Sequence, residues 1–251
     1  MTVFGVRLPK MASLLFWVLV WEIIGRFELV LLFPPFTEVL AAMGEVVTSA
    51  SFAKAAWITA YAYVLGLGLA ILAGVAMGFA MGLFGPVDRL LNMWVNIFVS
   101  APLSALVPVI MILFGMGTPT VVVTVFMFAV WIIALDTRAG VQHVSKSLIE
   151  MSYSFGASRR QRLKIIFLAA LPEILAGVRL GVIRGVKGVV IGQLLVSIIG
   201  VGALFSLYSQ NFLMAHFWAL VLLLFAFALT LADLVARLEH RIEYYAGARH
   251  P

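Results

Sequence analysis

Long uncharged stretches separated by short charged segments are the dominant pattern of this chain. No Asp, Glu, Lys or Arg occurs from Ala55 to Val87, and none occurs from Leu90 to Leu135. About 20 apolar residues suffice to cross the ~30 Å hydrocarbon layer of a bilayer. The second stretch is long enough for two crossings, divided near residues 115–119, where two glycines and a proline occur. The pattern therefore predicts membrane-spanning helices.

Applied to the whole chain, this pattern predicts an all-α integral membrane protein with six transmembrane helices. Pro34 and Pro35 interrupt the first helix, and the amphipathic helix that follows, at about 37–47, is predicted to lie along the membrane surface. Residues 1–251 are treated as one transmembrane domain with a charged loop at about 145–165. The predicted spans cover about residues 11–33, 57–84, 91–114, 119–136, 174–199 and 213–234.

The first uncharged stretch carries Gly74, Gly78 and Gly82 at intervals of four residues. Small residues at that spacing lie on one helix face and allow a neighbouring membrane helix to approach closely. Glycine is also frequent in membrane helices in general. The spacing alone leaves both interpretations open.

The composition agrees with a membrane environment. Hydrophobic residues make up 64% of the 251 positions and charged residues 11%, whereas soluble domains carry about 25% charged residues. The chain has no cysteine, which excludes disulfides, thiol catalysis and cysteine-ligated metals. The four histidines are scattered and form no H-E-x-x-H pattern. We therefore expect no metal or cofactor in this chain.

The distribution of Lys and Arg explains the net charge of +6. With the N-terminus placed in the cytoplasm, twelve of these cations fall on the cytoplasmic side and two, Arg26 and Lys54, on the other. The positive-inside rule then predicts that both termini are cytoplasmic. The distribution accounts for the basic character of the chain without nucleic acid as a partner.

The loop between the predicted fourth and fifth spans differs from the others in charge and pattern. Residues 147–155 predict a short helix, Gly156 permits a sharp reversal, and Ser158 is placed to cap a second, basic helix. Two helices joined in this way, here called the bracket (residues 147–164), could act as a lever whose first helix docks in a groove of a partner protein. It also fits a helical loop that only maintains orientation. The apolar and charged candidates for docking are Leu148, Ile149, Glu150, Met151, Phe155 and Arg159.

The same loop resembles the EAA loop of ABC importer permeases, in which Glu-Ala-Ala is followed by three residues and Gly. Glu150 and Gly156 have the required separation, and residues 156–159 carry the common continuation Gly-Ala-Ser-Arg, although Met-Ser stands in place of Ala-Ala. From about residue 30 onwards the chain resembles the nitrate/sulfonate/taurine-type group of these permeases. Further stretches that match this group in order are 32–40, 102–108, 114–117 and 171–179.

The resemblance implies the architecture of a type I ABC importer permease in the bacterial inner (cytoplasmic) membrane. It implies three kinds of partner: a second copy of the chain, a dimer of cytoplasmic ATPase subunits that bind ATP and Mg²⁺, and a periplasmic or extracellular solute-binding protein. It also implies that the chain is not an enzyme, and the Gly-Lys dipeptide of a P-loop occurs nowhere in it. The residues implied to couple the chain to the ATPase are Leu148, Glu150, Met151, Phe155, Gly156, Ala157 and Arg159.

Polar side chains inside the predicted third and fifth spans mark a candidate solute pathway, because such groups need internal partners or a wet cavity. We expect these side chains to line a central cavity between two copies of the chain. The fifth span carries Gln193 where members of the resembling group commonly have Glu. The candidate pathway residues are Asn96, Ser100, Ser104, Gln193 and Ser197.

Three cations, Arg179, Arg184 and Lys187, lie on or near the inner half of the predicted fifth span. One interpretation is that they favour an anionic solute. The other is that they extend towards lipid headgroups or pair with Asp136. The sequence leaves both interpretations open.

Two other classes of function compete with an importer subunit. A secondary transporter or channel independent of ATP is expected to show inverted repeats or acidic pairs inside the membrane. The chain has no convincing repeat, and Asp88, Asp136 and Asp233 lie near the ends of predicted spans. A membrane-embedded enzyme needs a nucleophile or metal cluster within the spans, and the sequence offers no clear one.

The charge distribution generates a topology test that the absence of cysteine makes simple. Single cysteines introduced at Ser147 and Gln210 should react with a membrane-impermeant thiol reagent from opposite sides of the membrane. Labelling in intact and in opened cells measures the sidedness, and the unmodified chain is the control. Labelling of both positions from outside would refute the predicted topology.

Overall fold

The computed structural model describes residues 2–3, 6–7, 10–28, 30, 32–196 and 199–245. Two-residue strands β1 (Thr2–Val3) and β2 (Val6–Arg7) pair at the N-terminus, and everything else that is regular in the described residues is helical. The helices are α1 Lys10–Arg26, α2 Phe36–Thr48, α3 Ala50–Leu83, α4 Gly85–Ser100, a 3₁₀ turn Leu103–Leu106, α5 Val107–Phe114, α6 Thr118–His143, α7 Lys146–Ser154, α8 Arg159–Val196, α9 Gly200–Gln210 and α10 Met214–Tyr245.

The helical lengths confirm the predicted all-α membrane fold. In the described residues, α3, α6, α8 and Met214–Leu231 of α10 are each long and apolar enough to cross a membrane. The bent pair formed by α4 and Leu103–Phe114 makes a fifth span if it is counted as one. Helix α1 has 17 residues, which corresponds to about 25 Å at 1.5 Å per residue. The sixth span therefore stays a prediction.

The predicted third span at 91–114 is not one straight helix. Helix α4 ends at Ser100, and the segment Leu103–Phe114 continues at an angle of 97°. Proline disfavours helical backbone at the residue before it, and Ala101, which precedes Pro102, is extended with φ −68° and ψ 147°. The break follows from Pro102, and Pro108 lies in the first turn of α5, where proline is tolerated.

Two further helices differ from the predicted ones. The basic helix of the charged loop and the predicted fifth span form one continuous helix of 38 residues, α8, which passes through Pro172. Helix α9 was not predicted, because its sequence mixes polar and apolar residues over a short length. Its inner face buries Val201, Leu204 and Phe205. This burial against the rest of the chain stabilises a helix that the local sequence does not predict.

Helix α6 lies between α3 and α8, and glycines on both flanking helices make the contact close. A Cβ atom added to Gly78 would lie 2.7 Å from the Cβ of Thr137, closer than real Cβ atoms approach. One added to Gly177 would lie 2.7 Å from the Cβ of Asp136. Of the two interpretations left open for Gly74, Gly78 and Gly82, the structure shows the close approach of a neighbouring helix. Glycines that face α6 are Gly66, Gly74, Gly78 and Gly82 of α3 and Gly177, Gly181, Gly188 and Gly192 of α8.

Helix α2, predicted as a surface helix, buries one face against α10. Val39, Ala42 and Val46 of α2 are buried in a cluster that also contains Ala219 and Leu220. The side chain of Glu22 on α1 accepts hydrogen bonds from the backbone N–H of Thr37 (3.0 Å) and from its hydroxyl (3.0 Å). A carboxylate at a helix N-terminus satisfies free N–H groups and is favoured by the helix dipole.

The packing of α3 on α6 predicts a sharp difference between two glycines of the same helix. Gly78→Leu should lower the thermal unfolding temperature of the purified chain, because overpacking costs about 1–3 kcal/mol or more. Gly68→Leu is the matched control, since among the described residues no atom beyond the adjoining turns of α3 lies within 4 Å of a Cβ added at Gly68. Equal unfolding temperatures for the two variants would contradict the close packing.

Candidate functional site

Helix α7 ends in a hydrogen-bonded turn that sets the direction of the following chain. The N–H of Gly156 donates to the carbonyl of Tyr153 (2.9 Å), and the N–H of Ala157 donates to the carbonyl of Ser152 (2.9 Å). This pair of bonds is a Schellman motif, which requires a left-handed residue after the helix. Gly156 takes that role with φ +68°. The predicted reversal at Gly156 is confirmed.

The next helix begins with a capping box. The hydroxyl oxygen of Ser158 accepts a bond from the N–H of Gln161 (3.4 Å), and the side-chain oxygen of Gln161 accepts one from the N–H of Ser158 (2.7 Å). The predicted cap at Ser158 is confirmed. Arg162 connects the two helices, because its guanidinium lies 4.3 Å from the centre of the Tyr153 ring and donates to the carbonyl of Ala157 (2.7 Å). The bracket of α7 and α8 is held by its own residues.

The apolar residues of α7 divide between two faces. Leu148 and Ile149 pack against the buried cluster of Val141, Val144, Ala170 and Ile174, so they attach α7 to α6 and α8. Met151 is 49% exposed and Phe155 is 82% exposed. Glu150 and Arg159 are exposed as well, and Ala157 is half-buried. The face that remains open to a partner thus carries Met151 and Phe155 and not Leu148.

An ion pair supports the base of this bracket. Arg138 near the end of α6 binds Asp88 at the start of α4 through two nitrogens, Nε to Oδ1 and Nη2 to Oδ2, the second at 2.8 Å. Bidentate arginine–carboxylate pairs are the strongest and most directional of the ordinary ion pairs. The pair ties α4 to the end of α6 from which α7 departs.

The polar residues of α4 form a stripe on its surface. Asn92, Asn96 and Ser100 recur every four residues. The side-chain Nδ2 of Asn96 donates to the backbone carbonyl oxygen (2.7 Å) and to the side-chain Oδ1 (2.8 Å) of Asn92. Asn96, Ser100 and Ser104 are exposed in the single chain. The helix is held in place from its other face by Val95, which is buried, and by Phe98, which stacks on Trp131 with ring centres 4.4 Å apart.

Gln193 lies in a buried polar cluster instead of on this exposed surface. Only 2% of the residue is exposed, and its side-chain oxygen accepts bonds from the hydroxyl of Thr59 (3.0 Å) and the N–H of Gly202 (3.4 Å). The N–H of Val201 in turn donates to the Thr59 hydroxyl oxygen (3.1 Å). The cluster joins α3, α8 and α9. The remaining predicted pathway residue, Ser197, lies outside the described residues.

The cations of α8 occupy different surroundings. Arg184 is half-buried, donates to the carbonyl oxygen of Val99 at 3.4 Å and interacts electrostatically with Asp136. Lys187 is exposed. Across the described ranges, no three His, Asp or Glu side chains come together in an arrangement able to hold a metal ion.

A family model decides where this chain belongs. The model described as the binding-protein-dependent transport system inner membrane component matches residues 66–244, a range that contains the bracket, the α4 stripe and the cations of α8. The chain belongs to this family. The sequence-based resemblance to importer permeases is thereby confirmed.

Named relatives are similar over part of their length. The chain is 34% identical over 139 residues to the taurine transport system permease protein TauC of Escherichia coli, covering 55% of this chain and 50% of the relative. It is 32% identical over 107 residues to the riboflavin transport system permease protein RibX of Chloroflexus aurantiacus, covering 42% and 40%. The bicarbonate transport system permease protein CmpB of Synechococcus elongatus is 26% identical over 151 residues, with 59% and 54% covered. The chain thus spans about half the length of the relatives it matches.

A solved structure shows the fold independently. A chain of the MetNI methionine ABC transporter in an inward-facing conformation superimposes with a TM-score of 0.66 and 18% identity, covering 76% of this chain and 96% of that one. This likeness shows the fold of an ABC importer membrane subunit, as predicted from the sequence.

Proposed function

We propose that this chain is the membrane-spanning permease subunit of an ATP-driven ABC importer for a small solute. Two copies of the chain form the membrane part. They work with two cytoplasmic ATPase subunits, which bind ATP and Mg²⁺, and with an external solute-binding protein. The observation that carries the proposal is the self-supported bracket of α7 and α8, found within a chain of the importer family. ATP hydrolysis belongs to the partner chain.

The bracket can act as a lever because it is stiff and is continuous with a long helix. The Schellman motif, the capping box and Arg162 join α7 to α8 without a flexible linker. Helix α8 has 38 residues and is therefore about 57 Å long. A displacement of α7 by an ATPase groove moves the whole of α8, and with it the membrane-embedded residues. Rigid-body rocking of this kind is one of the standard routes to alternating access.

The side chains suited to ATPase contact are those on the open face of α7. Phe155 and Met151 provide apolar surface, and Glu150 and Arg159 provide charge for register. Within the described chain, Glu150 makes no ion pair, so its carboxylate is available to a partner. Gly156 aims this surface through its left-handed conformation, and Ala157 and Leu148 hold it against α8 and α6.

We place the α7 end of the molecule in the cytoplasm and both termini on the same side, in the bacterial inner membrane. Twelve Lys and Arg residues on that side against two on the other support the orientation. The ends of α3 and α6 and the start of α4 lie at this same end, as the contacts of Gly82 with Val141 and of Asp88 with Arg138 require. The solute-binding protein then docks at the opposite end, on the α1–α2 and α9–α10 connections.

The docking role of α7 predicts that Phe155→Ala reduces recovery of the ATPase with the chain about tenfold or more, because large aromatic side chains dominate interface energies. The unfolding temperature of the chain should not change, since Phe155 is 82% exposed. ATP-dependent solute uptake should fall together with the recovery of the ATPase. Co-purification of the ATPase and uptake into reconstituted vesicles measure the two effects.

A matched control for this variant exists at the other end of the molecule. Phe212 in the α9–α10 connection is 74% exposed, and Phe212→Ala should leave ATPase recovery unchanged. Equal recovery with Phe155→Ala and the unmodified chain would mean that α7 does not dock, and would favour a transporter or channel that works without ATP.

A further inference from the structure

Lys187 is a charged side chain exposed near the middle of a membrane-spanning helix. The flanking Gly188 and Gly185 of α8 pack against Phe128 and Val125 of α6. Phe128 is ten residues from the Thr118 end of α6 and fifteen from the His143 end, which places it about 15 Å and 22 Å from those ends. The Lys187 backbone is therefore far from both ends of the bundle.

A lysine at that depth is costly in contact with lipid. Ionisable residues at the centre of a membrane helix are rare and almost always face the bundle interior or a water-filled cavity. The four-carbon stem of lysine is too short to carry the ammonium group to either headgroup layer from there. The exposed face of α8 around Lys187 is therefore adjacent to water or protein and not to lipid.

The partners of the two central cations differ. Arg184 interacts electrostatically with Asp136 and donates to the Val99 carbonyl. Among the described residues, Lys187 makes no hydrogen bond or ion pair. Since Arg184 lies three residues before Lys187, the two share one side of α8. Lys187 supplies the positive charge that no described carboxylate matches.

The break between α4 and α5 lies at the same level. Val99, whose carbonyl Arg184 reaches, is in the last turn of α4, immediately before Ser100 and the extended Ala101–Pro102 segment. Non-helical backbone at membrane depth is tolerated only where it is buried in protein or lines a water-filled cavity. Ser100 and Ser104, on either side of the break, are exposed in the single chain, so this backbone faces either a water-filled cavity or a second copy of the chain.

We propose that Lys187, with Arg184 beside it and the serines of the α4–α5 break opposite, binds an anionic group of the transported solute at the middle of the membrane. The site takes a small solute with a carboxylate, sulfonate or similar single negative charge. Lys187 provides the unmatched charge, Arg184 provides directed N–H donors, and Ser100 and Ser104 provide hydroxyl donors. The assignment of a solute to this site rests on the proposed importer function.

The electrostatic part of this proposal is testable without knowledge of the solute. Ser100→Cys in the cysteine-free full chain, reconstituted in lipid vesicles, should react with both anionic and cationic methanethiosulfonate reagents. Corrected for their rates with free cysteine, the anionic reagent should react about fivefold faster than the cationic one, because one unit charge about 8 Å away in water shifts the two rates about twofold in opposite directions. Adding Lys187→Gln should bring the ratio close to one, and Lys187→Arg should restore it.

Two outcomes would overturn the proposal. A Ser100→Cys variant that reacts with neither reagent would place the α4 break against protein or lipid. Leu72→Cys, at a 73% exposed position in the uncharged part of α3, is the control expected to react with neither. A reactive Ser100→Cys whose ratio does not respond to Lys187→Gln would separate Lys187 from the cavity. The reactions need neither ATP nor the ATPase, so failure of the importer function would lower uptake without changing these reaction rates.

Discussion

The structure depends on the close contact of α6 with the glycine-bearing faces of α3 and α8. Lipid tails are as apolar as leucine, so no hydrophobic force holds these helices together, and van der Waals contact between closely spaced backbones has to do so. Glycines on both flanking helices allow α6 to lie where a Cβ atom would not fit. The three helices are consequently one packed unit.

This unit connects the two regions proposed to carry the function. The α7 bracket leaves the end of α6 and returns at the start of α8, and the bidentate contact of Arg138 with Asp88 attaches α4 to the same end. Lys187 lies on α8 at the level where α4 breaks. A force on Phe155 therefore reaches the central cations through one unbroken helix and its packing against α6. The buried cluster around Gln193 extends the unit to α9 through Thr59.

Local sequence signals predicted the parts of the fold that depend on local chemistry. Uncharged runs indicated α3 and α6, and Gly156 and Ser158 indicated the turn and the cap of the bracket, because backbone conformation and capping involve residues a few positions apart. The continuity of α8 through Pro172 and the burial of Gln193 were not predictable in this way. Each depends on neighbours far along the chain; the partner of Gln193, Thr59, is 134 residues away.

The central claim is that α6 and α8 move as one body during transport, and a disulfide between them tests it directly. A Cβ atom on Gly192 would lie 3.3 Å from the Cβ of Thr124, close to the 3.5–4.5 Å range of disulfides. Thr124→Cys with Gly192→Cys should cross-link on oxidation, and ATP-driven uptake by the proposed importer should continue at the rate of the reduced protein. Uptake that stops on oxidation and returns on reduction would show that the two helices move apart and would contradict the account.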